Sequence, residues 1–112
     1  MHVKITSKHI DVTDAVREHV KDKISKMPKY LSSIKEIEVV LDGKQRGKIN
    51  VEMIARARRR KVFVVKEADT TILSSVDLAS HKLERQLMRE KAKMRDNKHK
   101  RGAELTYRKK EE

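Results

Sequence analysis

Cysteine is absent from the 112 residues. Disulfides and thiolate metal sites are thereby excluded, and a reducing compartment is open to the chain. Aromatic residues number three, Tyr30, Phe63 and Tyr107. A reader of single-stranded RNA needs several exposed rings to stack bases, so this chain has little to offer in that role. No apolar run approaches the length that spans a bilayer. The N-terminal stretch MHVKITSKHI lacks the continuous apolar segment of a signal peptide. A soluble, cytoplasmic protein with no membrane partner is the expectation. Chemistry-bearing motifs are missing too: there is no Gly-rich phosphate loop, Walker signature or nucleophile elbow. His2, His9, His19, His81 and His99 are scattered, without a metal-ligand pair on one helix face. Asp77 and His81, four apart, suit a helix-surface ion pair better than an active site. Neither an enzyme, a metal nor a cofactor is expected.

Cation is what the chain has in abundance. Lys and Arg number 29 against 17 Asp and Glu, a net charge of +12 with a pI of about 10.1. Such an excess repels itself in the compact state and is understandable if the partner is a polyanion. Residues 82–101, KLERQLMREKAKMRDNKHKR, carry nine basic and three acidic residues, half of the whole excess.

Periodicity assigns the elements. His2 to Thr6 alternate polar and apolar and read as a strand. Thr13 is a candidate N-cap and Asp14 places negative charge at the start of a helix. Val16, Val20, Ile24 and Met27 share one face of it, and Pro28 ends or breaks it at Met27. Ile37, Val39 and Leu41 alternate in a second strand, followed by a turn at residues 42–47. Ile49, Val51, Met53, Ala55 and Ala57 form the clearest strand, and residues 61–65 a fourth. Arg58, Arg59 and Arg60 lie between these two without a glycine to turn the chain. With Arg56 and Lys61 they make a second basic patch, which reads equally as an RNA contact or as a solvated tip. A second helix runs from about Thr71 to the mid-nineties, with Ile72, Val76, Ala79, Leu83, Leu87 and Met94 in one narrow sector. The fold class is α/β (α+β), in the order β-α-β-β-β-α, a four-stranded mixed sheet with both helices packed on one face. Residues 1–95 make one domain, and residues 96–112 a basic to mixed-charge tail read as disordered.

On the second helix Lys82, Arg85, Arg89 and Lys93 recur at spacings of three, four and four beside the apolar stripe. At about 1.5 Å per residue they span roughly 16 Å, enough to meet several phosphates. The first helix adds Arg17, Lys23, Lys26 and, just past it, Lys29. With both helices on one sheet face, the two basic flanks are expected to enclose a single groove. The commoner origin of such rows is a solvated helix face. Here the concentration of charge and the few interrupting acids favour a phosphate-bearing partner.

Three pieces are similar to a known family: ITSKHIDVTDAVREHVKDKISKM at 5–27, the strand-rich middle, and SSVDLASHKLERQL at 74–87 with its continuing basic helix. The chain resembles the family of ribosome hibernation-promoting factors and ribosome-associated inhibitors, in a short form, since the C-terminal dimerisation domain of long members has no counterpart in it. The resemblance implies a β-α-β-β-β-α domain that binds the small ribosomal subunit, on its 16S-type rRNA. The site is the channel of mRNA and of the A- and P-site tRNAs, and binding there silences translation under stress or in stationary phase. It implies rRNA-binding roles for Arg17, Lys23, Lys26, Lys82, Arg85, Arg89, Lys91 and Lys93, and a monomer away from the ribosome. Two departures stand out. Where the family carries an Asp-Met-Tyr-Ala-Ala-Ile-Asp run, this chain has Thr71-Ile72-Leu73-Ser74-Ser75-Val76-Asp77, without the aromatic. Arg58, Arg59 and Arg60 replace a turn that often contains Gly. A general double-stranded RNA-binding module and a small nuclease are the alternative readings.

Overall fold

The computed structural model describes the backbone of residues 1–103 and the side chains of residues 1–95. Its elements follow the expected order: β1 (His2–Lys8), α1 (Asp14–Ile24), β2 (Ile34–Asp42), β3 (Ile49–Ala57), β4 (Val62–Asp69) and α2 (Ile72–Ala103). The strands form one mixed sheet in the order β1-β2-β3-β4. β1 pairs parallel with β2, and the other two ladders are antiparallel. α2 lies over β3 and β4, while α1 lies over β1 and touches α2.

Alternation puts Ile37, Val39, Leu41, Val51, Met53, Ala55 and Val65 on the helix-facing side, where they are buried with Val20 and Ile24 of α1 and Val76, Ala79, Leu83 and Leu87 of α2. Phe63 packs against the same core. β2 begins three residues earlier than its alternation suggests. Ile34 and Ile37 are both buried although their spacing is odd, because a register shift between Ile34 and Glu36 resets the parity. β4 extends to Asp69 through residues of weak strand preference. Its pairing with β3, including Lys66 Nζ 3.9 Å from Glu52 Oε2, overrides that preference.

Thr13 caps α1, its hydroxyl accepting from the Val16 N–H at 3.2 Å. The helix ends at Ile24, not at Met27. Ser25 Oγ donates to the Asp22 carbonyl at 3.0 Å, a local bond that competes with helix continuation. Pro28 then opens a separate 3₁₀ turn, Met27–Lys29, which keeps Met27 buried. At the start of α2, Thr71 Oγ1 accepts from the Ser74 N–H at 3.1 Å. α2 runs through Ala103, beyond the expected domain boundary at 95. The expected tail thus begins with helical backbone, and its residues 104–112 lie outside the described residues.

The length of α2 follows from simple geometry. β4 has eight residues and α2 returns antiparallel over it. A strand of that length spans about 27 Å, which a helix covers in roughly 18 residues. Counting from Ile72, the sheet is exhausted near Glu90. Met94, expected in the buried stripe, is accordingly 50% exposed, because the sheet no longer lies beneath it.

Candidate nucleic-acid interface

The buried seam of Val76, Ala79, Leu83 and Leu87 fixes the rotation of α2. Lys82 Nζ lies 3.2 Å from Glu67 Oε2 on β4. The flank that bears Lys82, Arg85, Arg89 and Lys93 is therefore the one on the β4 side, away from α1. The opposite flank carries Asp77 and Glu84. Asp77 Oδ1 is 2.8 Å from His19 Nε2 and 3.8 Å from Lys23 Nζ, so this carboxylate ties the two helices together. Hydrogen bonding to Glu84, then burial, then the Glu84 charge raise the Tyr30 hydroxyl above its ordinary value. Lys29 Nζ stands 5.7 Å from the Tyr30 ring centroid.

The expected single groove between two basic flanks is thus not what the fold builds. Acidic side chains of α2 face α1, and the main basic row points the other way. Wheel geometry explains the miss. The row and the acids sit on either side of one apolar seam, and sequence alone does not say which side meets α1. Lys23 reaches the helix junction but is held near Asp77. Arg17 is exposed about 120° around α1 from Lys23, on the flank away from α2. Lys26 is exposed, 4.0 Å from Asp22. Arg85, Arg89, Lys91 and Lys93 are all exposed. Lys91 lies across the helix from the row, on the flank of Asp77 and Glu84.

The structure adds residues that the sequence left undecided. Lys61 forms an ion pair with Glu90, which is only 8% exposed. This pair brings the β3–β4 turn beside the second half of α2, the point where the strand-length arithmetic ends. The Arg58 N–H donates to the Ser33 carbonyl at 3.1 Å, tying the same turn to the start of β2. Arg58, Arg59, Arg60 and Lys61 therefore stand at the end of the molecule shared by Arg89, Lys91, Lys93 and Arg95. The available signal was the antiparallel return of α2 over β4, read as lengths. Arg59 and Arg60 both hold positive φ, 62° and 61°. For residues with a Cβ that conformation costs about 1–2 kcal/mol each.

Exposed guanidinium and ammonium groups of this kind bind phosphate oxygens, Arg with a planar fork and Lys as a point charge. Among the described residues no group of three or more His, Asp or Glu is placed to hold a metal ion. Among them, too, no helix is long and apolar enough to cross a membrane.

Residues 3–95, from β1 through most of α2, match the family described as Sigma 54 modulation protein / S30EA ribosomal protein. The chain belongs to that family. Among curated S30EA-family relatives, the ribosome hibernation promotion factor of Lactococcus lactis subsp. cremoris (strain MG1363) is 33% identical over 96 residues, covering 80% of this chain and 49% of the relative. The ribosome hibernation promoting factor of Azotobacter vinelandii is 30% identical over 93 residues, covering 83% of this chain and 85% of that one. The chain thus spans about half the length of the Lactococcus relative. Among solved structures, a ribosomal subunit interface protein from Coxiella burnetii superposes with a TM-score of 0.75 at 25% identity, over 82% of this chain and 99% of the other. The N-terminal domain of Thermus thermophilus Protein Y gives 0.70 at 25% identity, over 80% and 98%. The S30EA fold is therefore present from its first strand to the basic part of its last helix.

Proposed function

We propose that this S30EA-family chain is a non-catalytic ribosome hibernation factor, working in the cytoplasm. It binds the small ribosomal subunit and fills the channel used by mRNA and by the A- and P-site tRNAs. The observation that carries the reading is the exposed row Arg85, Arg89 and Lys93, locked in direction by a buried seam, in a chain whose relatives are named for ribosome hibernation. Arg85, Arg89, Lys91 and Lys93 contact rRNA phosphates directly. Lys82 and Lys23 do so by exchanging Glu67 and Asp77 for phosphate, and Arg17 and Lys26 contact it from α1. Release of condensed counterions supplies much of the affinity, and the stiff fold supplies shape selection. Inhibition follows from occupancy, since mRNA and tRNA cannot share the volume.

Titrating salt against binding to purified small subunits tests the reading. About six neutralised phosphates give a log–log slope near −4 on the single-strand coefficient. A flat response rejects the electrostatic mechanism. Excess duplex RNA competes poorly if the site is ribosome-shaped. Full displacement by duplex RNA points instead to a general double-stranded RNA-binding module, and cleavage of labelled RNA by the purified chain points to a nuclease.

A further inference from the structure

The β3–β4 turn has a backbone that its residues disfavour. Arg59 and Arg60 both lie in the left-handed region, and the Lys61 N–H donates back to the Arg58 carbonyl at 3.3 Å. Two left-handed central residues closed by that bond make a turn of the I′ kind, whose preferred occupants are Asn and Gly. Arginine has no local reason to be there. The turn is nevertheless held from three directions. The Ala57 N–H donates to the Lys61 carbonyl at 2.8 Å, the Arg58 N–H to the Ser33 carbonyl at 3.1 Å, and the Lys61 ammonium pairs with Glu90. Nor do the three arginines stabilise the fold by pairing. Among the described residues no carboxylate lies within 4 Å of them, whereas Arg56 on the neighbouring strand is tied to Glu36 at 2.7 Å and Glu38 at 3.4 Å. Strain held in place at an exposed charge cluster with no ion-pair partner among the described residues points to a ligand.

We propose that the Arg58–Arg60 turn is a second phosphate-binding element, directed at the RNA backbone and continuous with the α2 row. The inference rests on the ribosome reading above. A guanidinium fork matches carboxylate as well as phosphate. Continuity decides between them. The Lys61–Glu90 pair joins the turn to Arg89 and Lys93, and the resulting surface is a long cationic strip. A polymer with regularly repeated charge suits such a strip better than an isolated acidic side chain does.

The test replaces the turn by the residues its backbone prefers, Arg59→Asn with Arg60→Gly, in the full chain. Relief of strain at both positions, offset in part by the unfolded-chain entropy that glycine adds, raises Tm by about 4 °C or more. Affinity for small subunits falls about tenfold at moderate salt, and the log–log salt slope becomes less negative by about 1.4–1.8, the share of two phosphates. A variant that is more stable yet binds with native affinity and native slope overturns this inference and leaves the functional reading standing. A loss of affinity with an unchanged slope overturns it in favour of an acidic protein surface. Absence of binding by the native chain itself overturns the functional reading, and this inference with it.

Discussion

Lys82 Nζ meets Glu67 Oε2 at 3.2 Å, and this one ion pair identifies the side of α2 on which the basic row lies. On the other side Asp77 meets His19 at 2.8 Å. The two contacts together divide the helix surface into a face that holds α1 and a face that is left to a partner. The division sets the main basic row along α2 on the side of β4 and the β3–β4 turn, whereas Lys23 and Lys91 lie on the side of the helix junction.

Reversing Lys82, Arg85 and Arg89 to Glu is therefore expected to abolish small-subunit binding while the chain stays folded. The Lys82–Glu67 pair is half exposed, and losing it costs about 1 kcal/mol or less. The same reversals at Arg108, Lys109 and Lys110, outside the described residues, are expected to weaken binding far less. Sedimentation with small subunits measures the difference, with circular dichroism as the control for folding. Equal losses from the two triples count against a directed row.

Lys61 and Glu90 predict an asymmetry in stability. Glu90 is 8% exposed and lies on the buried bearing of α2. Removing its partner by Lys61→Ala strands a carboxylate and costs about 1–3 kcal/mol. Glu90→Leu removes the charge and fills the space, so it is expected to be near neutral or stabilising. Urea denaturation midpoints compare the two. A larger loss from Glu90→Leu than from Lys61→Ala means the pair contributes more than the cost of a stranded charge.

Leu87 and Met94 share the apolar bearing of α2, but only Leu87 has the sheet beneath it. Leu87→Ala is expected to destabilise by about 2–5 kcal/mol. Met94→Ala is expected to change stability by about 0.5 kcal/mol or less. Thermal or urea unfolding of the two variants gives the comparison. Similar losses mean that the second half of α2 has a packing partner other than the sheet.

The same pair of residues shows what the sequence makes legible. Period-two and period-3.6 patterns identify which residues face inward, so Val39, Leu41, Met53 and Leu83 could be read directly. Periodicity does not say where an opposing element stops, and Met94 was misplaced for that reason. Bulges hide as well, since Ile34 looks out of phase with Ile37 until the ladder shifts. Charge was legible as amount and as a row, but not as direction. Whether Lys82 faces β4 or α1 is decided by its meeting with Glu67 on β4 and by that of Asp77 with His19 on α1, contacts between elements that no local pattern reaches. The turn at Arg58–Arg60 was hardest, because residues that avoid left-handed backbone give no signal that they adopt it.

Tyr30 and Glu84 give the last prediction a sign. The hydrogen bond to Glu84, then burial, then the carboxylate charge hold the phenol above its ordinary ionisation point. A folded-state value above the unfolded one means that the folded chain keeps its proton while the unfolded chain releases it. The resulting stability is complete below the ordinary tyrosine value and is lost as pH climbs through the folded one. Glu84→Gln removes the charge, so the Tyr30 midpoint is expected to fall toward ordinary and the alkaline loss of stability to shrink. Phenolate absorbance follows the titration, in a Tyr107→Phe background so that Tyr30 alone reports. Glu84 shares its flank with Lys91, a proposed phosphate contact, so removing its negative charge is expected not to weaken RNA binding. An unmoved midpoint shows that Glu84 does not govern Tyr30.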